Sequence, residues 1–139
     1  MIAQSDVLIL KAGRIPELQL IDELNRKGFE VRITDDFTAA PEICKYLANP
    51  IIVCFSTSEP QTVEIQVDLL ANMQEIHEVP LLLVCKDALS YTRRCADKFE
   101  LLLTLNTPCK PGEIVEQVVT VSRNLVEARY ESERYLDEA

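Results

Sequence analysis

Several residue types are scarce in this 139-residue chain, and each shortage excludes a class of protein. The sequence contains no Trp, one His and three Gly. So few glycines exclude a collagen-like or glycine-rich repeat, and a single His cannot form a histidine-rich metal site. The five cysteines are odd in number and include no Cys-x-x-Cys pair. This usage disfavours a secreted disulfide framework and favours a reducing cytosol.

Positive charge is also in short supply. Lys and Arg number 14 against 23 Asp and Glu, which gives a net charge of −9. Proteins that bind nucleic acid are usually basic because they neutralise phosphates, so the charge favours protein partners instead. No basic segment precedes a long apolar stretch near the start, and no run approaches a membrane span, so neither a signal peptide nor a membrane partner is expected. The 47% of hydrophobic residues suit one folded domain.

Apolar runs alternate with segments of helical period along the chain. Continuous apolar runs, typical of buried parallel strands, are DVLIL (6–10), PIIVCF (50–55), PLLLVC (80–85) and ELLLTL (100–105). FEVRITDD (29–36) alternates instead, as an edge strand with one polar face would. Helical patterns fall at 15–27, 39–47, 61–78, 89–98 and from 111 onward. The order predicts an α/β protein with a flavodoxin-like, doubly wound (βα)5 parallel sheet in strand order 2-1-3-4-5.

The junction NTPCKPGEIVEQV (106–118), after the fifth strand, carries the most specific signal. Receiver domains of bacterial two-component response regulators usually end this strand with Lys-Pro and a large apolar residue, then open a helix with Pro-x-Glu-Leu. The matching residues here, without a gap, are Thr107-Pro108-Cys109 and Pro111-Gly112-Glu113-Ile114. GFEVRITDDFTAAPEICKYL (28–47) also looks like the second strand and helix of a receiver. Over residues 5–122 the chain therefore resembles a receiver domain.

The resemblance implies where phosphotransfer chemistry would sit. In receivers an Asp after strand 3 accepts the phosphoryl group from a histidine kinase, and two acidic residues after strand 1 help to hold Mg²⁺. A Thr or Ser after strand 4 and a Lys after strand 5 contact the phosphoryl group. The corresponding positions here are Lys11 and Ala12 for the acidic pair, Phe55 or Ser56 for the acceptor, Cys85 for the hydroxyl and Thr107 for the lysine. The resemblance also implies a cis Thr107–Pro108 bond, with Pro111 starting the last helix.

These replacements predict a degenerate receiver, or pseudo-receiver. No carboxylate remains at the implied positions to accept a phosphoryl group or to bind a hard cation such as Mg²⁺. We therefore expect no enzymatic activity, metal or cofactor, and a cytoplasmic signalling module that acts through protein contact in a bacterial two-component-type pathway.

Two alternatives stay open at this point. A receiver could be phosphorylated at a non-standard residue, with Ser56 as acceptor and Lys110 in place of the family lysine. A small-ligand or redox sensor could use the strand-end pocket, where Cys54, Cys85 and Cys109 are expected to cluster. The simpler interpretation is that these cysteines are small buried hydrophobic residues.

The last helix is predicted to extend past the domain and to mediate assembly. A receiver-like domain at 5–122 would be followed by a helical extension at 123–139. Apolar residues continue at a 4-3-4-3 spacing through Ile114, Val118, Val121, Leu125, Ala128, Ser132 and Tyr135. We expect Leu125, Ala128 and Tyr135 to lie past the domain edge and to form a parallel homodimer contact. Arg93 and Arg94, on the fourth helix, are candidate contacts for another partner.

Overall fold

The computed structural model describes residues 5–95 and 97–138, which form one five-stranded sheet flanked by helices. The strands are β1 (Val7–Ala12), β2 (Val31–Thr34), β3 (Ile51–Ser56), β4 (Leu81–Cys85) and β5 (Leu102–Asn106). The helices are α1 (Glu17–Arg26), α2 (Ala40–Cys44), α3 (Pro60–Ala71), α4 (Thr92–Cys95) and α5 (Pro111–Glu138). Within these described residues, no helix is both long and apolar enough to cross a membrane.

The sheet has the predicted topology. All pairings are parallel and the order is β2-β1-β3-β4-β5, which confirms the flavodoxin-like, doubly wound fold. The continuous apolar runs of β3 and β4 are buried along their whole length. The fifth strand was expected to be apolar on both faces of a covered sheet. It lies at the second edge, where its apolar side chains are only half-buried, because α4 has four residues and covers little of it.

Side-chain alternation along the strands builds one core on each face of the sheet. Val7 and Ile9 point towards α1 and α5, whereas Leu8 and Leu10 point towards α2, α3 and α4. At the start of β1, the Ser122 hydroxyl of α5 donates a hydrogen bond to the buried Ser5 hydroxyl, 3.1 Å away. The first strand is thus held directly by the last helix.

Three helices are shorter than the sequence pattern predicts. The segments expected at 39–47, 61–78 and 89–98 contain only α2, α3 and α4, with 3-10 turns beside them at 37–39, 74–76 and 88–91. The turn at 37–39 forms because Asp36 Oδ1 accepts a hydrogen bond from the Thr38 backbone N–H, at 3.1 Å. Ile76 keeps the apolar spacing of the preceding helix and is fully buried, but within a 3-10 turn.

The long terminal helix is present, and among its described side chains the apolar seam departs from the expectation at Leu125. Ile114 and Val118 are fully buried and Val121 is 4% exposed, so these residues pack on their own sheet. Leu125, expected past the domain edge, is half-buried against the α1/α5 core. That expectation is corrected, because the starts of β3 and β4 reach this turn of the helix and place Pro50, Val79 and Pro80 around Leu125. Ala128 is exposed, while the side chains of Tyr135 and Arg94 lie outside the described residues.

Candidate functional site

The carboxyl ends of the central strands bring the positions of interest to one edge of the sheet. Lys11 pairs with Phe55 in the β1–β3 register, and Ala12 pairs with Ser56. On the other side, Cys85 pairs with Asn106 at the ends of β4 and β5. The structure thus places the residues that the resemblance implied on four neighbouring strand ends. In open parallel sheets this edge is where ligands usually bind.

The acceptor position is occupied by residues that solvent barely reaches. Phe55 is 3% exposed and Ser56 is 1% exposed. Alternation sends Phe55 into the α1/α5 core. The Ser56 hydroxyl oxygen accepts a hydrogen bond from the Ser58 backbone N–H at 3.3 Å, so it stabilises the turn that leads towards α3. Neither residue presents a carboxylate or an open nucleophile.

A fixed positive charge occupies the end of β1. The Lys11 ammonium nitrogen lies 2.6 Å from Glu17 Oε2, and both side chains are about one-third exposed, at 32% and 33%. Because the pair is partly in solvent, its contribution to stability is small. The pair also disfavours cation binding at this strand end, since Lys11 neutralises Glu17 and its positive charge would repel a divalent ion. Among the described residues, no group of three His, Cys, Asp or Glu side chains could hold a metal.

Two loop residues that the sequence reasoning missed close this edge. The Thr57 backbone N–H donates to the Ala12 carbonyl at 2.9 Å, and the Thr57 hydroxyl donates to the Arg14 carbonyl at 3.0 Å. Gly13 has a φ of +82°, and a Cβ there would lie 2.3 Å from Thr57 Oγ1. The loop after β1 is therefore fastened onto the loop after β3. In the sequence, a glycine directly after an apolar strand indicated a tight loop at Gly13. It did not show that Thr57 would be the residue packed against that loop.

The turn after β5 is a structural junction. The Thr107–Pro108 bond is cis, the isomer that the resemblance implied, and α5 begins at Pro111 as expected. The Thr107 backbone N–H donates to the Cys85 carbonyl at 3.0 Å. Asn106 Oδ1 accepts from the Ala88 backbone N–H at 2.8 Å, and this contact ties the loop after β4 to the end of β5. Backbone and amide groups hold the turn at the position where receivers carry the lysine that contacts the phosphoryl group.

The three strand-end cysteines do not form the expected cluster, because Cys54 and Cys85 are buried in the core beside α2, α3 and α4, whereas Cys109 is half-buried against the α1/α5 core on the other face of the sheet. Burial raises the pKa of the Cys85 thiol to about 11, with the Asp87 carboxylate adding to the effect. Burial also raises the pKa of Cys54, with Cys85 and Cys95 as secondary causes. The pKa of Cys109 is raised by burial and by Glu113. Since the thiolate is the reactive form, these shifts favour the simple interpretation over redox chemistry.

Arg93 and Arg94, the candidate partner contacts, lie on α4. Arg93 is exposed. Leu89, in the turn before α4, is 68% exposed, and Leu101, just before β5, is 36% exposed. The segments on either side of α4 thus expose apolar side chains as well as the Arg93 cation.

Comparison with solved structures finds receiver domains. One is the receiver domain of sensor histidine kinase PA1611 from Pseudomonas aeruginosa, solved with a magnesium ion coordinated in its active-site cleft. It shares 16% sequence identity at a TM-score of 0.57, over 84% of this chain and 95% of that chain. Chemotaxis response regulator CheY4 of Vibrio cholerae gives the same identity and TM-score, over 84% of this chain and 99% of its own. No family model and no curated protein sequence matches the chain.

Proposed function

We propose that this receiver-fold chain is a pseudo-receiver, a signalling module that acts through protein–protein contact without being phosphorylated or catalysing a reaction. The strand-end edge carries this proposal. The Pseudomonas receiver domain coordinates magnesium in its active-site cleft, whereas this chain has the Lys11–Glu17 ion pair and the buried Ser56 at the corresponding strand ends. The setting we propose is a bacterial two-component-type pathway in the cytoplasm, in keeping with five free cysteines.

Phosphorylation at a non-standard residue is disfavoured by the same geometry. Phosphoryl transfer relies on positioning and on cations that neutralise the developing charge. Ser56 is 1% exposed, so an incoming phosphoryl donor would have to displace the turn that its hydroxyl stabilises. The Thr57 hydrogen bonds hold the adjacent loop over that position.

The partner surface we propose comprises α4, β5 and the exposed side of α5. It offers Arg93, Leu89 and Leu101 to an incoming protein. Edge strands with half-buried apolar side chains are suited to protein contact, because burial removes both apolar surface and open backbone groups from water.

Acetyl phosphate, a small phosphoryl donor, provides the test. The purified protein is incubated with acetyl phosphate and Mg²⁺ and analysed by intact mass, beside a receiver known to accept phosphate under the same conditions. We expect the mass of this chain to stay unchanged while the control gains one phosphoryl group. Titration calorimetry with Mg²⁺ should also show no binding tighter than about millimolar, because the described residues contain no carboxylate cluster that could hold the ion. A phosphorylated Ser56 or Asp would refute the proposal.

A further inference from the structure

The outer edge of β5 presents backbone groups that the sheet does not use. At the start of β5, the Leu101 carbonyl accepts a hydrogen bond from the Leu81 N–H of β4, at 3.0 Å. At its end, the Thr107 N–H donates to the Cys85 carbonyl, also at 3.0 Å. Alternate residues of a strand turn their backbone groups to opposite sides, so the outward N–H and C=O groups belong to Leu102, Thr104 and Asn106. The described part of the chain supplies no hydrogen-bond partner for these outward groups.

This edge is accessible and uncharged. The side chains of residues 102–105 are half-buried and Leu101 is exposed, and α4 is too short to cover them. At the opposite edge of the sheet, β2 contains Arg32 and lies directly between Glu30 and Asp35. Charged side chains protect edge strands from pairing with other chains. The sequence therefore protects the β2 edge and leaves the β5 edge open.

The outward groups of β5 are complementary to themselves. They are centred on Thr104, with one outward residue on each side. A second β5 that runs antiparallel about a two-fold axis at Thr104 would pair Thr104 with its own copy, and Leu102 with Asn106 of the second copy. Every outward N–H then meets a carbonyl, as a two-fold contact requires. Each copy has a net charge of −9, so an uncharged strand is the edge along which two copies repel each other least.

We infer that a second copy of this chain adds to the sheet at this edge, β5 against β5, so that two five-stranded sheets become one continuous sheet. In this register Leu103 lies opposite Leu105 of the second copy, in the closely spaced pairs that lack direct hydrogen bonds. Both leucines are only half-buried in the single chain, so the contact removes further apolar surface from water. On the other face Thr104 lies opposite Thr104, a favourable cross-strand pair.

Two exposed leucines beside β5 come together in the same arrangement. Leu89 follows Ala88, whose backbone N–H donates to Asn106 Oδ1 at 2.8 Å. Asn106 would lie opposite Leu102 of the second copy, and Leu101 directly precedes Leu102. Leu89 of one copy and Leu101 of the other therefore reach the same end of the strand pair. These side chains are 68% and 36% exposed in the single chain.

The strand contact takes the place of the parallel helix contact expected from the sequence. That helix seam includes Ile114, Val118 and Val121, which are 0%, 0% and 4% exposed within their own domain. A helix pair could bury them no further. The inference deepens the proposed function, since it names a second copy as the occupant of β5 within the proposed partner surface.

A proline at the centre of the contact tests the hydrogen bonding. Sedimentation equilibrium of the wild-type chain should show a dimer at ~100 µM, as expected for a contact with a Kd of ~10 µM. Thr104→Pro should raise the Kd at least about tenfold, because proline has no N–H to donate. Each copy should still fold, since the Thr104 N–H points away from β4 and proline is tolerated at such edge positions. The matched control Thr104→Val keeps the N–H and the β-branched shape, so its Kd should stay within about twofold of wild type.

Opposite charges at the same position test the two-fold register. Thr104→Lys and Thr104→Glu should each raise the Kd about fivefold, because each places like charges directly opposite one another. An equimolar mixture of the two variants should form a heterodimer at least as tight as the wild-type dimer. Urea unfolding of each variant checks that the monomer remains folded.

Three results would overturn the inference, namely a monomeric wild-type chain at ~100 µM, a Thr104→Pro variant that dimerises like Thr104→Val, or a charge mixture that pairs no better than its components. Species larger than a dimer would indicate head-to-tail pairing of β5 with β2 and would overturn the two-fold register. The absence of phosphorylation is measured separately by intact mass, so failure of the dimer leaves the pseudo-receiver proposal standing.

Discussion

Replacing Gly13 with alanine should destabilise the fold, partly through the backbone conformation of residue 13 and partly through its contact with Thr57. Gly13 has a φ of +82°, and the new Cβ would lie 2.3 Å from Thr57 Oγ1. An alanine in this left-handed region loses roughly 1–2 kcal/mol. Moving the Thr57 hydroxyl away also breaks its 3.0 Å hydrogen bond to the Arg14 carbonyl, a loss of about 0.5–1 kcal/mol at an exposed position. Together these effects predict a loss of about 2 kcal/mol.

The assay is urea unfolding of four proteins, namely wild type, Gly13→Ala, Thr57→Ala and the double variant. Thr57→Ala alone should lose only the hydrogen bond. In the double variant the clash with Oγ1 is absent, so its loss should fall short of the sum of the single losses by about 1 kcal/mol, a coupling typical of residues in contact. Gly112→Ala is the matched glycine control. It has no positive φ and its nearest contact is 3.9 Å, so it should be neutral or stabilising by up to about 1 kcal/mol. A Gly13→Ala midpoint equal to wild type, or strictly additive losses, would refute the proposed clash.

Two further predictions concern the ends of β4 and β5. Asn106→Ala should lower the free energy of unfolding by about 1 kcal/mol, because the Ala88 N–H loses its acceptor. The control variant Asn106→Asp keeps an acceptor oxygen and should lose less stability. Equal losses for the two variants in urea unfolding would argue against this contact. The pKa of Cys85 is raised from 9.0 to about 11 in the folded protein, so its stabilising contribution is complete below pH 9 and declines as the pH rises from 9 through 11. Cys85→Ala should therefore show a weaker fall in stability than wild type between pH 8 and pH 10.5, and parallel curves would contradict the assignment.

The sheet was predictable because a strand that is buried on both faces must consist of consecutive apolar residues, which are visible in the sequence. Runs such as PIIVCF and PLLLVC become central strands since both faces of a covered parallel sheet must be apolar. Helix lengths were less predictable. An apolar stripe continues through Ile76 whether the backbone is α-helical or a 3-10 turn, because both place it against the same core.

The positions of the candidate-site residues were predictable from the sequence, but the contacts that these residues make were not. The resemblance located Lys11 and Ser56 at neighbouring strand ends, and the structure places them there. The closure by Thr57 was not predictable, because its hydroxyl bonds to the Arg14 carbonyl, 43 residues away in sequence. Pairing of Lys11 with Glu17 likewise depends on where α1 begins, which periodicity defines only to within a few residues.

The hydrogen bond between Ser5 and Ser122 has a consequence for how the chain folds during synthesis. β1 is an interior strand of the sheet and is made early, yet one of its faces is covered in part by α5, which is made after all the other elements described above. The α1/α5 core therefore remains open until residues near Leu125 have left the ribosome. Until then Val7 and Ile9 are exposed on that face, and the nascent chain presents an unfinished apolar layer of the kind that chaperones recognise.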